Sequence, residues 1–139
     1  MTIRYLLDTN VLSEAIKSHP DEQTLERLSE HDGELATCSI VWHELSFGAA
    51  RLAASKKRRA IEAYLEEAIR GTLPILPYDQ EAATWHAYER ARLSKRGRPP
   101  SAADGQIAAI ASVNDLTVVT ANVKDFRRFK DLVVEDWSS

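Results

Sequence analysis

The chain contains 139 residues, of which 44% are hydrophobic and 28% are charged, and this composition is typical of a folded globular protein. Its length favours a single domain, residues 1–139, with a hydrophobic core of its own. The net charge of −3 excludes the strongly basic profile of a general nucleic-acid binder. Cys38 is the only cysteine, so no intrachain disulfide can form, and we expect it to be a small core residue.

No run of the sequence approaches the ~20 apolar residues that a membrane-spanning helix needs. The apolar N-terminal segment is too short for a secretory signal and ends at Asp8. We therefore expect a cytoplasmic protein without a membrane partner.

Strands and helices are predicted to alternate along the whole chain. Strands are predicted, in chain order, at residues 3–7, 34–38, 73–76, 116–120 and 132–134. Helices are predicted at residues 9–17, from Pro20 to Gly33, after Ser39 as N-cap, at residues 56–70, after Asp79, after Ser101 and at residues 122–128.

This alternation predicts an α/β fold, a three-layer α/β/α sandwich with a mostly parallel central sheet flanked by helices. Pro74 lies within the third predicted strand and lacks the N–H that a central strand would use, so we expect that strand at an edge of the sheet. Residues 95–100 are basic and end in two prolines, which predicts a loop.

The positive charges are concentrated in two parts of the chain. The first block is Arg51, Lys56, Lys57, Arg58 and Arg59, and the second is Arg90, Arg92, Lys95, Arg96 and Arg98. Taken alone, each block is most simply the solvated face of a helix. The alternative is a surface that steers phosphate groups towards an acidic site.

Four oxygen-bearing side chains are predicted near the same edge of the sheet. Asp8 follows the first strand, and Asn122 follows the strand at residues 116–120. Glu44 and Asp104 lie in the first turns of two helices. Right-handed crossovers return each parallel strand in the same direction, so we expect these four side chains to lie close together.

Clustered carboxylates repel one another unless protons or a cation intervene. Oxygen ligands without histidine or cysteine favour Mg²⁺ or Mn²⁺ over zinc. Such a metal ion can acidify a bound water and neutralise charge on a phosphate in the transition state. The pattern therefore suggests phosphodiester hydrolysis.

Three of the four residues also have a purely structural interpretation. Ser101 and Asp104 match a capping box, in which Asp104 would favour the helix dipole without any catalytic role. Glu44 near a helix N-terminus has the same interpretation. Asn122 also resembles a helix start.

Three neighbouring polar residues are equally ambiguous. Thr9 and Asn10 are ordinarily turn or cap residues rather than ligands. His43 adjoins Glu44 in an apolar setting, and we expect it to be a packed core residue.

Four sequence motifs resemble those of a known family, the PIN-domain nucleases, and within it the VapC-type toxins of bacterial toxin–antitoxin pairs. The motifs are Leu-Leu-Asp8-Thr-Asn10-Val-Leu-Ser-Glu14, Ser39-Ile-Val-Trp-His-Glu44-Leu-Ser-Phe-Gly48, Ala103-Asp104-Gly-Gln-Ile107-Ala-Ala and Thr120-Ala-Asn122-Val-Lys-Asp125-Phe126. They occur in the family's order, and the ending with Trp137 fits as well.

The resemblance implies a single PIN-like domain with metal-dependent endoribonuclease activity. Asp8, Glu44 and Asp104 would bind Mg²⁺ or Mn²⁺. Asn122 falls where the family has Asp or Asn, and its amide adds no charge, which puts a second tightly held metal ion in doubt. Asp125 could supply that charge through water or cap a helix, and we favour the cap.

The resemblance also assigns a role to Thr120, while Arg96 and Arg98 are candidates because they belong to the second basic block. Thr120 would orient a water or a ligand near the metal. Asn10, Arg96 and Arg98 are further candidates for contacts with the site or with RNA. The implied partners are an RNA substrate, with tRNA prominent, a cognate antitoxin protein and a second copy of the chain.

Two other readings remain open at this point. One is a catalytically silent PIN-like module that binds protein or RNA. The other is a haloacid-dehalogenase-type phosphatase, which also places Asp after its first strand. That class needs a second Asp as general acid where this chain has Asn10, which cannot donate a proton in that role.

Overall fold

The computed structural model describes residues 2–139, and its centre is a five-stranded sheet. The strands are β1 Tyr5–Leu7, β2 Leu35–Cys38, β3 Ile75–Leu76, β4 Thr117–Val119 and β5 Val134–Glu135. Their order across the sheet is β3-β2-β1-β4-β5, and each neighbouring pair is parallel. The predicted parallel sheet is therefore confirmed.

Seven α-helices within residues 2–139 flank this sheet. They are α1 Thr9–Leu12, α2 Glu22–Glu30, α3 Ser39–Ala50, α4 Lys56–Tyr64, α5 Gln80–Lys95, α6 Ala102–Val113 and α7 Val123–Phe126. Helix α1 continues as a 3-10 turn at Ser13–Ile16, and α4 continues as a π-helix at Leu65–Arg70. None of the helices in this part of the chain is both long and apolar enough to cross a membrane.

The strand order determines where a ligand site can form. The chain runs outward from β1 to β2 and β3, then returns to β4 and β5 on the other side of β1. With right-handed crossovers, α1–α4 cover one face of the sheet and α5–α7 cover the other, which is the predicted α/β/α sandwich. The direction reverses between β1 and β4, and ligands bind beyond the carboxyl ends of strands at such a point.

The core consists of the central strands and the apolar helix faces packed on them. β1 and β2 are buried along their whole length, and helix α6 is buried over residues 107–111. These residues of α6 are mostly alanine, so the helix can lie close to its neighbours. Trp137 and Cys38 are also buried, and the prediction for Cys38 is confirmed.

Two predicted helix caps are confirmed and one is wrong. Asp79 Oδ1 accepts a hydrogen bond from Ala82 N at 2.9 Å, and Ser101 Oγ accepts one from Asp104 N at 3.2 Å. Ser39 is instead the first residue of α3, and Cys38 is the N-cap without a side-chain bond. The reason is that β2 runs directly into α3, so the last strand residue has to occupy the cap.

The edge strands differ from their predictions by a few residues. The third predicted strand is shortened to β3, which pairs only with β2 and lies at the edge, as Pro74 indicated. The last strand, predicted at residues 132–134, is Val134–Glu135 instead, because β4 pairs Val118 with Val134 and Val119 with Glu135. Pairing partners, which a local pattern does not contain, decide these ends.

The basic segment at residues 95–100 has a defined backbone. Arg98 N donates to Leu93 O at 2.9 Å and Gly97 N donates to Ser94 O at 3.0 Å, while Gly97 has a φ of 70°. This is a Schellman motif, which ends helix α5 with a left-handed residue. The chain direction through Arg96 and Arg98 is therefore fixed, although both side chains are exposed.

Candidate active site

The buried carboxylate of Asp8 lies at the point where the chain direction reverses. Asp8 follows β1 and is only 5% exposed. Its Oδ1 accepts a hydrogen bond from Thr9 N at 2.8 Å, and its Oδ2 accepts one from Thr120 Oγ1 at 2.8 Å. Thr120 follows β4, so the residues after the two central strands are joined through this carboxylate.

Asn10 connects the same two segments a second time. Its Oδ1 accepts a hydrogen bond from Ala121 N at 3.0 Å, and its Nδ2 lies 3.4 Å from Asp8 Oδ2. Asn122 N donates to Thr120 Oγ1 at 3.0 Å. Thr120 and Asn10 therefore hold Asp8 in one orientation.

Glu44 reaches this network from helix α3. Thr9 Oγ1 donates to Glu44 Oε2 at 2.6 Å, so the residue after Asp8 bonds the second predicted acid directly. The sequence predicted Thr9 only as a turn or helix-cap residue. The only signal for its role was a hydroxyl residue adjoining the candidate carboxylate.

His43, the neighbour of Glu44, is not the packed core residue that the sequence predicted. Its side chain is exposed and stacks on the ring of Phe47 one helical turn later, with 6.4 Å between ring centroids. Glu44 faces the network while His43 faces solvent, because adjacent residues of a helix point in different directions.

Asp104 is half-buried in the first turn of α6, and its charge acts on Asp8. Burial raises the pKa of the Asp8 carboxyl; hydrogen bonds from Thr120 and Thr9 oppose this rise, and the charges of Glu44 and Asp104 add to it. Burial likewise raises the pKa of Asp104, and the charges of Asp125 and Glu44 add to that rise. The three predicted acids therefore form one electrostatic cluster.

The acidic side chains of the cluster do not surround a common point at which a metal ion could be bound. Among residues 2–139, no three acidic, histidine or cysteine side chains are arranged so that they could already enclose a metal ion. The oxygens that converge here belong to carboxylates, hydroxyls and an amide, a donor set that suits Mg²⁺ or Mn²⁺. The chemistry of the residues fits such an ion, and the metal site stays a prediction.

The other predicted residues are less closely connected to the cluster. Asn122 is exposed, and it is the N-cap of α7 without a side-chain cap bond. Asp125 does not cap α7, because Asn122 N, which it would have to bind, donates to Thr120 instead. Arg96 and Arg98 form no ion pair within the described part of the chain.

One charged residue near the cluster was missed. The positive charge of Arg128 lowers the pKa of Asp104, against the larger effect of burial, and its Nη1 contacts Pro99 O in the segment that leads to Asp104. Arg128 comes shortly after Asp125 in the last predicted helix, and its position in the chain carried no other signal.

A cavity of about 440 Å³ lies elsewhere, at the amino ends of β4 and β5. Trp85, Glu89, Leu116 and Asp131 are among the residues that line it. None of the predicted site residues lines this cavity, so its size does not mark the candidate site.

Residues 5–132 match the PIN domain, and the chain belongs to this family. Its relatives include the tRNA(fMet)-specific endonuclease VapC of Shigella flexneri, 33% identical over 98% of this chain and 99% of the relative. Toxin FitB of Neisseria gonorrhoeae is 35% identical over 95% of this chain and 97% of its own. Family membership also excludes the haloacid-dehalogenase alternative.

Solved structures agree with this assignment. VapBC from Salmonella typhimurium bound to DNA superimposes with a TM-score of 0.86 and 33% identity, covering 98% of this chain and 99% of that one. FitAcB from Neisseria gonorrhoeae superimposes with a TM-score of 0.84 and 34% identity, covering 94% and 95%. The PIN-like fold predicted from the motifs is therefore confirmed.

Proposed function

We propose that this protein is a metal-dependent endoribonuclease and the toxin of a toxin–antitoxin pair. The observation that carries the proposal is the buried Asp8 at the switch point of the sheet, within reach of the charges of Glu44 and Asp104. Relatives over nearly the whole chain are named as ribonucleases and toxins, which supports the same activity.

In this proposal Asp8, Glu44 and Asp104 hold Mg²⁺ or Mn²⁺, and Asn122 offers an uncharged oxygen. When bound, the metal ion supplies an acidified water and a positive charge next to the phosphate. A cation between the carboxylates would offset their mutual repulsion. Three acids and one amide favour a single tightly held ion over two.

The chain's own hydroxyl and amide groups orient the acids. Thr120 and Thr9 N fix both oxygens of Asp8, and Thr9 Oγ1 fixes Glu44 from the same loop. Each carboxylate oxygen accepts more than one bond, so these contacts leave lone pairs for a metal ion. The acids are held before substrate arrives, which reduces the reorganisation that catalysis would need.

The proposed substrate is RNA, and a tRNA is the first to test because one relative is a tRNA(fMet)-specific endonuclease. The structural relatives are named as VapBC and FitAcB assemblies, which supports a cognate antitoxin as partner. We also propose that two copies of the chain associate. Arg96 and Arg98 stay candidates for steering the RNA backbone.

The decisive experiment replaces Asp104 with Asn. We expect RNA cleavage in Mn²⁺ to be lost, because one charge of the metal site is removed, while circular dichroism shows an intact fold. Thermal stability without metal should rise slightly, because the folded state raises the pKa of Asp104 and so disfavours its charged form.

Asp32→Asn is the matched control, since Asp32 is an exposed residue that precedes β2. It therefore lies at the amino ends of the strands, whereas the candidate site lies at their carboxyl ends. It should cleave RNA at the parental rate. If the Asp104→Asn protein cleaves RNA as fast as the parent, Asp104 does not belong to the catalytic site. A parent that binds RNA but does not cleave it with Mg²⁺ or Mn²⁺ would favour the silent interaction module.

A further inference from the structure

The guanidinium of Arg128 bridges two segments at the edge of the acidic cluster. Its Nε donates to Asp125 O at 3.0 Å, and its Nη1 donates to Pro99 O at 3.5 Å. The guanidinium carbon also lies 5.8 Å from the centroid of the Phe129 ring. Arg128 therefore connects the end of α7 to the loop that leads into α6.

Helix α5 also fixes the backbone of Arg128 through a side-chain hydrogen bond. Arg92 Nη2 donates to Arg128 O at 3.0 Å, and Arg92 forms a two-bond ion pair with Glu89 at 2.7 and 2.8 Å. Glu89 is buried, and its Oε1 also accepts from Lys130 N at 2.7 Å. With Phe129 only 2% exposed, this segment has little freedom to move.

The bridge holds a cation against the segment that leads to Asp104 without pairing it to a carboxylate. Pro99 lies just before Ser101, whose hydroxyl caps α6 at Asp104. Within residues 2–139 Arg128 forms no ion pair, and its Nη2 has no hydrogen-bond partner. A half-buried guanidinium therefore keeps N–H donors available beside a site proposed to hold a phosphate.

We propose that Arg128 binds a phosphate of the RNA backbone next to the bond that is cleaved at the acidic cluster. This inference rests on the proposed ribonuclease function and assigns it a substrate-binding residue. Arginine suits the role because its planar fork can donate two bonds to one phosphate. Through Pro99 O it also contacts the loop that follows Arg96 and Arg98.

The test compares Arg128→Gln, Arg128→Lys and the parent for binding a short fluorescein-labelled single-stranded RNA in EDTA. Affinity is measured over a series of salt concentrations. For single strands, each phosphate contact contributes about −0.7 to the slope of log affinity against log salt. We expect Arg128→Gln to lose about one such contact and Arg128→Lys to keep most of it.

Cleavage of the same RNA in Mn²⁺ supplies a second measurement. Loss of a contact that is equally strong in the ground and transition states raises KM and leaves kcat nearly unchanged. Arg128→Gln should show this pattern. Arg70→Gln is the matched control, because it removes one exposed positive charge just before β3, at the opposite edge of the sheet.

Three outcomes would overturn the inference. The first is that Arg128→Gln retains the parental salt slope. The second is that Arg128→Gln changes the slope no more than Arg70→Gln does. The third is that Arg128→Lys weakens binding as much as Arg128→Gln and both variants unfold at a lower temperature than the parent. The last pattern would mean that Arg128 is only a structural bridge. If the parent cleaves no RNA, the proposed function fails, but the salt slopes still test the phosphate contact.

Discussion

Gly105 shows how closely a single residue next to the site is packed. A Cβ at this position would lie 2.2 Å from Nε2 of His86, whose ring is buried between α5 and α6. The other ring nitrogen, Nδ1, is 2.8 Å from Tyr78 Oη, so the ring cannot move away without losing that bond. Glycine follows Asp104 in the sequence because only a residue without a side chain fits beneath the imidazole.

We expect Gly105→Ala to destabilise the protein by about 1–3 kcal/mol through overpacking, despite the better helix propensity of alanine. Chemical denaturation measures the change. Gly48→Ala is the control, because nothing lies within 4 Å of a Cβ there, and it should stabilise helix α3 by about 0.5–1 kcal/mol.

A double mutant identifies the cause. In a His86→Ala background the ring is gone, so Gly105→Ala should cost little or become favourable, and the two changes should be strongly non-additive. Equal costs of Gly105→Ala with and without the ring would refute this explanation.

Among the elements, helix α5 contributes none of the predicted acids but bonds the segment that follows α7. Its Glu89–Arg92 pair fixes the segment after α7 through Lys130 N and Arg128 O. The bond from Arg92 holds the pKa of Glu89 below its usual range, and the bond from Lys130 N contributes in the same direction. The pair is therefore a structural connection between the α5 helix and the chain that passes the acids.

We expect Glu89→Gln to lower the free energy of unfolding at pH 7 by about 1–3 kcal/mol, because a buried charged hydrogen-bond acceptor is lost. Glu66→Gln is the control, since Glu66 pairs with Arg70 on the surface, and it should change stability by less than about 0.5 kcal/mol.

The effect should depend on pH in one direction. A carboxyl whose pKa is lowered by folding stabilises the protein above its unfolded pKa, about 4.3 for Glu, and this contribution disappears as the pH falls through the lower folded value. The difference between parent and Glu89→Gln should therefore persist at pH 5 and shrink below about pH 4. A difference that already vanishes at pH 6 would contradict a lowered pKa for Glu89, and a difference that stays constant down to about pH 3 would mean that Glu89 acts by packing alone.

For the whole molecule, metal binding and folding should be linked. An ion that binds only the folded chain stabilises it by about 2.7 kcal/mol at a free concentration of 100 times Kd. We expect Mn²⁺ to raise the unfolding temperature of the parent and to leave Asp8→Asn unchanged. Asp32→Asn should respond like the parent, and an equal shift in Asp8→Asn would place the ion elsewhere.

Much of the architecture could be predicted because it depends on residues that are close together in the chain. Apolar runs placed all five strands, and Asp79 and Ser101 marked their helices, since caps and buried strands depend on nearby residues. The N-cap at Ser39 was predicted wrongly because β2 passes directly into α3. The bounds of the last strand were predicted wrongly because its backbone pairing with β4 determines them. The three acids were predicted from their motifs, and the structure places them in one electrostatic cluster.

The sequence alone thus contained the alternation of elements, the parallel sheet, the family and the acids that follow its strands. The tertiary structure was needed for the bond between Thr9 and Glu44, the exposure of His43 and the position of Arg128 beside Asp104. The Thr9–Glu44 bond joins residues that are far apart in the chain, and Arg128 acts on a residue distant in the chain. The exposure of His43 depends on which face of α3 packs against the rest of the fold. A short-range pattern of side chains holds no information about such packing. Folding brings the distant residues together because the reversal between β1 and β4 gathers distant loops at one edge of the sheet.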